Sequence, residues 1–259
     1  MVRAADRAKN PAQSSIWLGS AKATRDRKAG QPAGLDRDRI VATSIRLLDT
    51  EGLAKFSMRR LAAELNVTAM SVYWYVDTKD DIFELALDAV FGEVEVADAG
   101  DAPDWRTEMR QLAASYRDIM VRHPWVSSIM GNYLNIGPHA MVFMHAVQRV
   151  VRDTGIPPEG QPGVISAVFQ FVYGFGTSEG HFKRRCAESG MSEDEFYTQA
   201  MAAFGEEPRF EETLEDMKEV LELRRRDTVQ SMWEKDFLFA LDVLIAGIDA
   251  TVARYGAQS

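Results

Sequence analysis

The chain has 259 residues, which is long enough for one large domain or two smaller ones with a substantial buried core. Its net charge of −9 excludes a protein coated in basic surface, although it permits a local basic footprint. The one cysteine, Cys186, excludes an internal disulfide and fits a reducing compartment. No stretch approaches the roughly 18 uninterrupted apolar residues of a membrane-spanning helix, so we expect a cytoplasmic protein with no membrane partner.

Residues 1–34 are rich in small and basic residues and lack sustained periodicity, which predicts a mostly disordered N-terminal arm. Arg25, Arg27 and Lys28 precede the first predicted helix. Such an arm either follows a nucleic-acid backbone or groove, or remains a solvated tail, and both interpretations stay open. The apolar run at 16–18 is too short for a signal peptide, and it is unusual enough in a tail to suggest docking on the folded body.

The next segments predict three short helices. A first helix over about 36–50 carries a broad apolar face and is closed by Gly52. Ser57 is a candidate N-cap for a second helix, which ends at Asn66, a residue that tolerates the left-handed conformation. Thr68 is the N-cap of a third helix. Two short helices joined by a tight turn form the helix-turn-helix pattern.

The third predicted helix has more aromatic side chains than one buried face can hold. Val72 and Val76 are four residues apart and both face the predicted core, so the aromatic residues at 73–75 cannot all be buried beside them. Exposed hydroxyl, ammonium and apolar groups suit a helix that lies in the DNA major groove. A helical hairpin with an aromatic packing face is the alternative, and we favour groove binding.

A fourth helix follows Thr78, which forms a capping-box pattern with Asp81. After an acidic linker at 96–103, longer helices are predicted from Trp105, from about 139, over about 164–185 and over about 228–255, with short helices in a mobile segment at 186–226. No strand pattern or internal repeat is present, which predicts an all-α fold. We divide the chain into an arm (1–34), a helix-turn-helix DNA-binding domain (35–95) and a larger α-helical domain (96–259).

One enzyme motif is present, but the catalytic partners that it requires are missing from the sequence. Residues 176–180 match the G-x-S-x-G pattern of α/β-hydrolases around Ser178. The only later histidine, His181, is three residues away and too close to act as the base that this fold uses. The histidine and cysteine spacings also match no metal site, and no phosphate-binding glycine motif is present. We therefore predict no catalytic residue, no metal and no cofactor, and an enzyme built on a helical cavity is the least supported class.

The segment FSMRRLAAELNVTAMSVYWYVDTKDDIFELALDAV, within residues 35–94, resembles the DNA-binding domain of the tetracycline repressor family. Weaker similarity continues at HPW (123–125), NIGP (135–138) and FLFALDVLIAGID near the C-terminus. The usual glycine of the inter-helix turn is Asn66 here. The resemblance implies a homodimeric transcriptional repressor that a small molecule releases from a palindromic operator in double-stranded DNA. A ligand-binding helical protein without DNA readout, and an activator of the same family, are the alternatives.

The resemblance also implies roles for residues of the helix-turn-helix. Arg59 is predicted to contact a base edge, because its guanidinium matches guanine O6 and N7. Bases or thymine methyls are the predicted contacts of Ala69, Met70 and Tyr73, while Trp74 either joins them or packs. The predicted phosphate contacts are Ser57, Thr68, Ser71, Tyr75 and Lys79.

Aromatic and polar residues in the all-helical second half suit a cavity for a small, largely apolar ligand. For any single residue, ordinary core packing is the simpler interpretation. Asn135 stands where the resemblance places a histidine that helps to hold a metal-bound drug, so we do not predict that ligand. The predicted ligand-binding residues are Trp105, Tyr116, Trp125, Tyr133, Asn135, His139, Phe143, Phe169 and Tyr173.

The two long helices of the second half carry small residues that permit close helix approach. The resemblance implies that they pack with their copies from a second subunit into a four-helix interface. The predicted dimer residues are Gly174, Gly176, Phe237, Ala240, Leu241, Leu244, Gly247 and Ile248.

Overall fold

The computed structural model describes residues 15–18, 35–96 and 104–257, and these residues form helices, turns and loops without a strand. The predicted all-α fold is confirmed. Most of the predicted arm, and the predicted linker beyond Val96, lie outside the described residues. Within the described part of the chain, no helix is both long enough and apolar enough to cross a membrane.

The N-terminal half contains α1 (Arg37–Glu51), α2 (Met58–Glu64), α3 (Ala69–Val72) and α4 (Lys79–Phe91). The last three of these helices begin at the predicted capping residues. The Ser57 and Thr68 side chains accept hydrogen bonds from the first turns of α2 and α3, and Thr78 and Asp81 form the complete capping box of α4. Asn66 has φ +56°, as its predicted role in the turn requires.

Helix α3 is much shorter than its pattern suggests. Its last α-helical residue is Val72, and the chain continues in tight turns in which the Tyr75 N–H donates to the Val72 carbonyl at 3.0 Å. Consecutive aromatic side chains have lower helix propensity than straight-chain residues, which fits this early end. Val72 and Val76 are fully buried, as predicted.

The second half contains eight further α-helices among the described residues. They are α5 (Trp105–Arg122), α6 (Trp125–Ile129), α7 (Pro138–Asp153), α8 (Gln161–Ser189), α9 (Glu193–Gly205), α10 (Glu211–Asp216), α11 (Lys218–Arg224) and α12 (Val229–Gly256). Helix α8 is 29 residues long and begins earlier than predicted, because its proline lies in the first turn, where proline is tolerated. The short helices α9–α11 contain no buried residue.

Helices α5 and α8 form the most extensive helix pair, and two glycines of α8 permit their close approach. A Cβ atom on Gly180 would lie 2.7 Å from the Met120 carbonyl oxygen, and one on Gly176 would lie 3.3 Å from the Arg117 carbonyl oxygen. Both glycines belong to the G-x-S-x-G pentapeptide. In the structure this pentapeptide lies inside a continuous helix, where the Ser178 hydroxyl donates to the Gly174 carbonyl. The glycines therefore serve helix packing and do not form a nucleophile elbow.

Helix α4 connects the two halves and is covered on almost every side. Residues 81–88 are all buried, including the carboxylates of Asp81, Glu84 and Asp88. Buried carboxylates need hydrogen-bond donors, because desolvation penalises a charge without partners. The partners of these carboxylates therefore show which segments hold α4 in place.

Candidate DNA-binding site and ligand cavity

The outer surface of α2 and α3 presents the groups that direct readout of a base pair requires. Arg59 is exposed, and among the described residues no ion pair or hydrogen bond engages its guanidinium. Met70 is 66% exposed and Trp74 is 41% exposed, whereas Tyr73 and Ala69 are half-buried. An unpaired guanidinium beside large exposed apolar groups on short helices fits a major-groove surface.

The neighbouring arginine has a different role. The Arg60 guanidinium binds Glu51 of α1 and Glu64 of α2, with N–O distances of 2.5 and 2.7 Å. The Arg60 guanidinium donates to both carboxylates, and these hydrogen bonds raise the pKa of Arg60 above its ordinary value. Arg60 thus joins α1 to α2, which leaves Arg59 as the free arginine of the pair. From the sequence, Arg59 was predicted to contact a base, and Arg60 had no predicted role.

The predicted phosphate-binding hydroxyls lie at helix starts. The Ser57 and Thr68 oxygens accept backbone N–H groups at 3.2 Å, and Ser71 Oγ lies 2.9 Å from Thr68 Oγ1. The Ser57 hydroxyl hydrogen has no acceptor among the described side chains, and Thr68 and Ser71 share one contact. These groups keep donor capacity toward a phosphate oxygen.

Tyr75 and Lys79 are held by contacts that the sequence did not predict. The Tyr75 hydroxyl donates to the Leu35 carbonyl oxygen. Lys79 Nζ donates to the Phe56 carbonyl at 3.0 Å and lies 4.9 Å from the centre of the Phe83 ring. Both side chains therefore tie the helix-turn-helix together, and their phosphate contacts stay a prediction in addition to this role.

A buried histidine connects the N-terminal helices to the second half. His123, at the end of α5, lies with Nδ1 2.8 Å from Asp49 of α1 and Nε2 3.2 Å from Glu93 after α4. Trp125 Nε1–H donates to the same Asp49 oxygen at 2.7 Å. Burial opposes the charged imidazole, but the hydrogen bonds and charges of Asp49 and Glu93 outweigh it and raise the His123 pKa. Arg122 adds a positive charge beside Glu93.

This contact makes the stability of the protein depend on pH. The folded-state pKa of His123 is raised, so protonated His123 contributes to the free energy of unfolding. This contribution is fully present below the unfolded pKa near 6.5 and is lost as pH rises through the folded value. We expect His123→Gln to remove the decrease in unfolding free energy that this loss causes. Urea unfolding from pH 6 to 9 measures it, with His145→Gln, an exposed histidine of α7, as the control. Parallel curves for wild type and His123→Gln would contradict the assignment.

A second set of contacts joins α4 to the start of α7. Asp88 accepts the Ala140 N–H at 3.0 Å, and its other oxygen lies 3.0 Å from His139 Nδ1. A Cβ atom on Gly137 would lie 2.2 Å from Asp88 Oδ1, so only glycine fits there. The Tyr133 hydroxyl donates to Asp80 at 3.0 Å, and both burial and the nearby carboxylate raise the pKa of Tyr133.

An apolar cavity of about 50 Å³ lies between α5, α7 and α8. Its only polar side-chain atom is the Tyr116 hydroxyl, which lies 3.4 Å from Met130 Sδ. Ligand pockets for small molecules usually measure about 300–1,000 Å³, so this cavity holds such a ligand only after the helices separate. The lining residues are Met109, Leu112, Ala113, Tyr116, Phe143, Val147, Val150, Val151, Ile165, Val168, Phe169 and Val172.

Three of the predicted ligand residues, Tyr116, Phe143 and Phe169, line this cavity. The other six predicted residues do not line this cavity, and their ligand contacts stay a prediction. The Tyr173 hydroxyl, for example, donates to the Ser127 carbonyl at 2.6 Å. These six residues are Trp105, Trp125, Tyr133, Asn135, His139 and Tyr173. The aliphatic lining was missed, although its helical spacing in α7 and α8 was visible.

A wider depression of about 1,210 Å³ lies among α9, α10, α11 and the start of α12. Its lining is rich in exposed carboxylates and arginines, which water solvates readily. The apolar cavity between α5, α7 and α8 is the better candidate for an apolar ligand.

The predicted dimer face also needs correction. Phe237 and Leu241 are 0% exposed, and Ile248 and Gly176 are also buried within the protomer, so these four residues cannot form the contact with a second copy. Gly174 and Gly247 are exposed, and Ala240 and Leu244 are half-buried. The apolar groups that α12 presents to solvent are instead Leu238, Phe239 and Val243, of which Phe239 is 74% exposed.

These features define a class of protein, namely a helix-turn-helix DNA-binding protein with a second all-helical body around an apolar cavity. Comparison with known sequences is consistent with both parts. A family model described as "Bacterial regulatory proteins, tetR family" matches residues 40–86, and one described as "Tetracyclin repressor-like, C-terminal domain" matches residues 99–252. The chain belongs to the TetR family of bacterial transcriptional regulators.

Relatives and solved structures support the same assignment. An "HTH-type transcriptional regulator" of Saccharopolyspora erythraea is 33% identical over 65% of this chain and 69% of the relative. The "HTH-type transcriptional repressor DrrR1" of Streptomyces coeruleorubidus is 29% identical over 89% of this chain and 83% of the relative. The Streptomyces coelicolor protein ActR, solved in complex with actinorhodin, superposes with a TM-score of 0.65 at 26% identity, covering 85% of this chain and 98% of ActR.

Proposed function

We propose that the protein is a homodimeric repressor that a small, largely apolar molecule releases from a palindromic operator. The observation that carries this proposal is the contact between the apolar cavity and α4, the helix that follows the helix-turn-helix. The repressor name of DrrR1 and the ligand complex of ActR support the same function. The proposal gives the chain a regulatory and not a catalytic function, in the cytoplasm.

The path from the cavity to α4 consists of packed aromatic rings. The Tyr116 and Phe143 rings, which line the cavity, have centroids 5.3 Å apart. Phe91, in the last turn of α4, lies 5.5 Å from Phe143 and 6.4 Å from Tyr116. Because interiors are close-packed, a ligand that enlarges the cavity displaces these rings, and Phe91 carries the displacement to α4.

This path separates the functions of the two domains. Residues 35–95 read DNA, and the remainder from 96 binds ligand and forms the dimer. A two-fold dimer places its two α3 helices about 34–36 Å apart on successive major grooves. Movement of α4 changes this spacing and lowers operator affinity, and by linkage the operator lowers ligand affinity by the same factor.

The proposed dimer face combines exposed stripes on two neighbouring helices. Phe239, Val243 and Gly247 share one side of α12 at helical spacing. On α8 the exposed positions include Gly163, Ala167 and Gly174, whose small side chains permit close approach. Packing with the same stripes of a second copy buries the most exposed large apolar side chain of the described protomer, Phe239.

Selection of genomic DNA fragments by the purified protein tests the proposal. We expect a palindromic site bound with a steep salt dependence. Weak binding that ignores sequence, persisting after unfolding and refolding to strip a bound ligand, would eliminate specific readout. That result would leave the ligand-binding helical protein as the function.

Arg59→Ala tests the role of the free arginine. Loss of a base contact should weaken binding to the selected site by about 1–3 kcal/mol and relax the preference at one base pair. Competition with operators substituted at single positions measures both effects. Arg184→Ala, which removes an exposed arginine of α8, should leave binding unchanged. An equal loss on every sequence, together with a shallower salt slope, would assign Arg59 to a phosphate instead.

A further inference from the structure

Residues 15–18, which we call the strap, form a compact turn against the folded body. The Leu18 N–H donates to the Ser15 carbonyl at 3.2 Å, and the Trp17 N–H donates to Ser15 Oγ at 3.2 Å. Ser15 is 3% exposed, and Ile16 and Trp17 pack against the core. The docking suggested by the apolar run in the sequence is therefore observed.

The strap completes the environment of a buried carboxylate. Glu84, in the middle of α4, is 4% exposed. Its carboxylate accepts the Ser15 hydroxyl and the Ile16 backbone N–H, and among the described residues no other group donates to it. Burial raises the Glu84 pKa, although both donors act in the opposite direction. Without the strap, α4 would carry a desolvated carboxylate that lacks these donors.

The strap also covers the seam between α4 and the start of α7. Trp17 closes a crevice that contains no free space for water. Asp88 and Phe91 line one side of it, and Gly137 and Ala140 line the other. The same Asp88 accepts the Ala140 N–H, so Trp17 shares this crevice with a contact that joins the two halves.

We propose that the strap is an intramolecular clasp that holds α4 against α7 and thereby sets how readily the DNA-reading helices change position. The strap precedes residue 40, where the match to the family's DNA-binding domain begins, so it lies outside that match. The inference rests on the proposed function, because it assumes that α4 transmits the response. The clasp is seated while the cavity is small, so it favours the closed, DNA-binding arrangement.

Hydrogen exchange on the full chain tests the clasp itself. In the double variant Ser15→Ala/Trp17→Ala, amides of α4 and of residues 137–141 should exchange about tenfold faster or more, as loss of a hydrogen bond to a buried charge implies. Amides of α12 serve as the internal reference. Leu18→Ala, which truncates an exposed side chain in the same turn, is the matched control and should exchange like wild type. Unchanged exchange in the double variant would overturn the clasp.

A second comparison separates the Ser15–Glu84 contact from general loosening. In a Glu84→Leu background no carboxylate needs a donor, so Ser15→Ala should no longer accelerate exchange. Equal acceleration in both backgrounds would show that the contact is not the cause.

The regulatory consequence requires a distance measurement. Spin labels on Lys55→Cys, an exposed position in the turn before α2, report the separation of the two helix-turn-helix units in the dimer, with the single native cysteine removed by Cys186→Ser. DNA binding is measured on the unlabelled protein. The strap variant should broaden this distribution and weaken binding to the selected genomic fragment. Faster exchange with an unchanged distribution and unchanged binding would overturn the regulatory role. Absence of a dimer would instead contradict the proposed function, while the exchange result would still test the clasp.

Discussion

Gly180→Ala is expected to lower the melting temperature of the protein by about 3–10 °C, as an overpacking cost of about 1–3 kcal/mol implies for a chain of this size. The added Cβ would lie 2.7 Å from the Met120 carbonyl oxygen and 3.4 Å from the Val121 Cα atom. These are backbone atoms of α5, so they cannot rotate away as a flexible side chain would. Relief requires the two helices to separate along their most extensive contact.

Gly205→Ala is the control, because it makes the same substitution in helix α9, outside the proposed dimer stripes, where no atom lies within 4 Å of the new Cβ. Alanine has a higher helix propensity than glycine, so this variant should melt at or slightly above the wild-type temperature. Calorimetry at one protein concentration compares all three proteins. Equal melting temperatures for Gly180→Ala and Gly205→Ala would show that α5 and α8 are not closely packed.

Phe239→Glu is expected to convert the dimer to a monomer and to weaken operator binding by about 100-fold or more, because two linked half-site contacts become separate events. Phe239 is 74% exposed in the protomer, so the charge is solvated there and the fold should tolerate it. In the dimer the same carboxylate would be buried without a partner. Sedimentation gives the oligomeric state, and titration of the selected fragment gives the affinity.

The control for the dimer face is Met141→Glu on α7. Met141 is 51% exposed, and it lies outside the proposed dimer stripes of α8 and α12. The Met141→Glu protein should therefore remain dimeric and bind DNA like wild type. A dimeric Phe239→Glu protein with full operator affinity would require a different face for assembly.

Local chemistry made the N-terminal half predictable from sequence. Ser57, Thr68 and Thr78 cap their helices as expected, since a cap depends on residues within one turn. Asn66 adopts the left-handed conformation for the same local reason. The helix-turn-helix and the all-α class follow from such signals together with apolar spacing.

The second half was less predictable because its contacts join residues far apart in the chain. Phe237 and Leu241 have the apolar spacing of an interface, but this spacing does not distinguish a partner subunit from helix α8 of the same chain. The ligand cavity was sought among aromatic residues, whereas its walls are mostly branched aliphatic. Trp125 bonds instead to Asp49, 76 residues earlier. Such pairings depend on how the helices pack, which periodicity alone does not specify.

The wrapping of α4 has a consequence for the shape of the protein's response. A helix with a solvent face can drift by small amounts, because water replaces each lost contact. Helix α4 has almost no such face, and the partners of Glu84 and Asp88 come from two separate segments, the strap and the start of α7. A partial shift would leave these charges unsolvated, so positions between two complete packings are rarely occupied. We expect the population to pass between two discrete conformers as ligand is added, so that each molecule switches in a two-state manner.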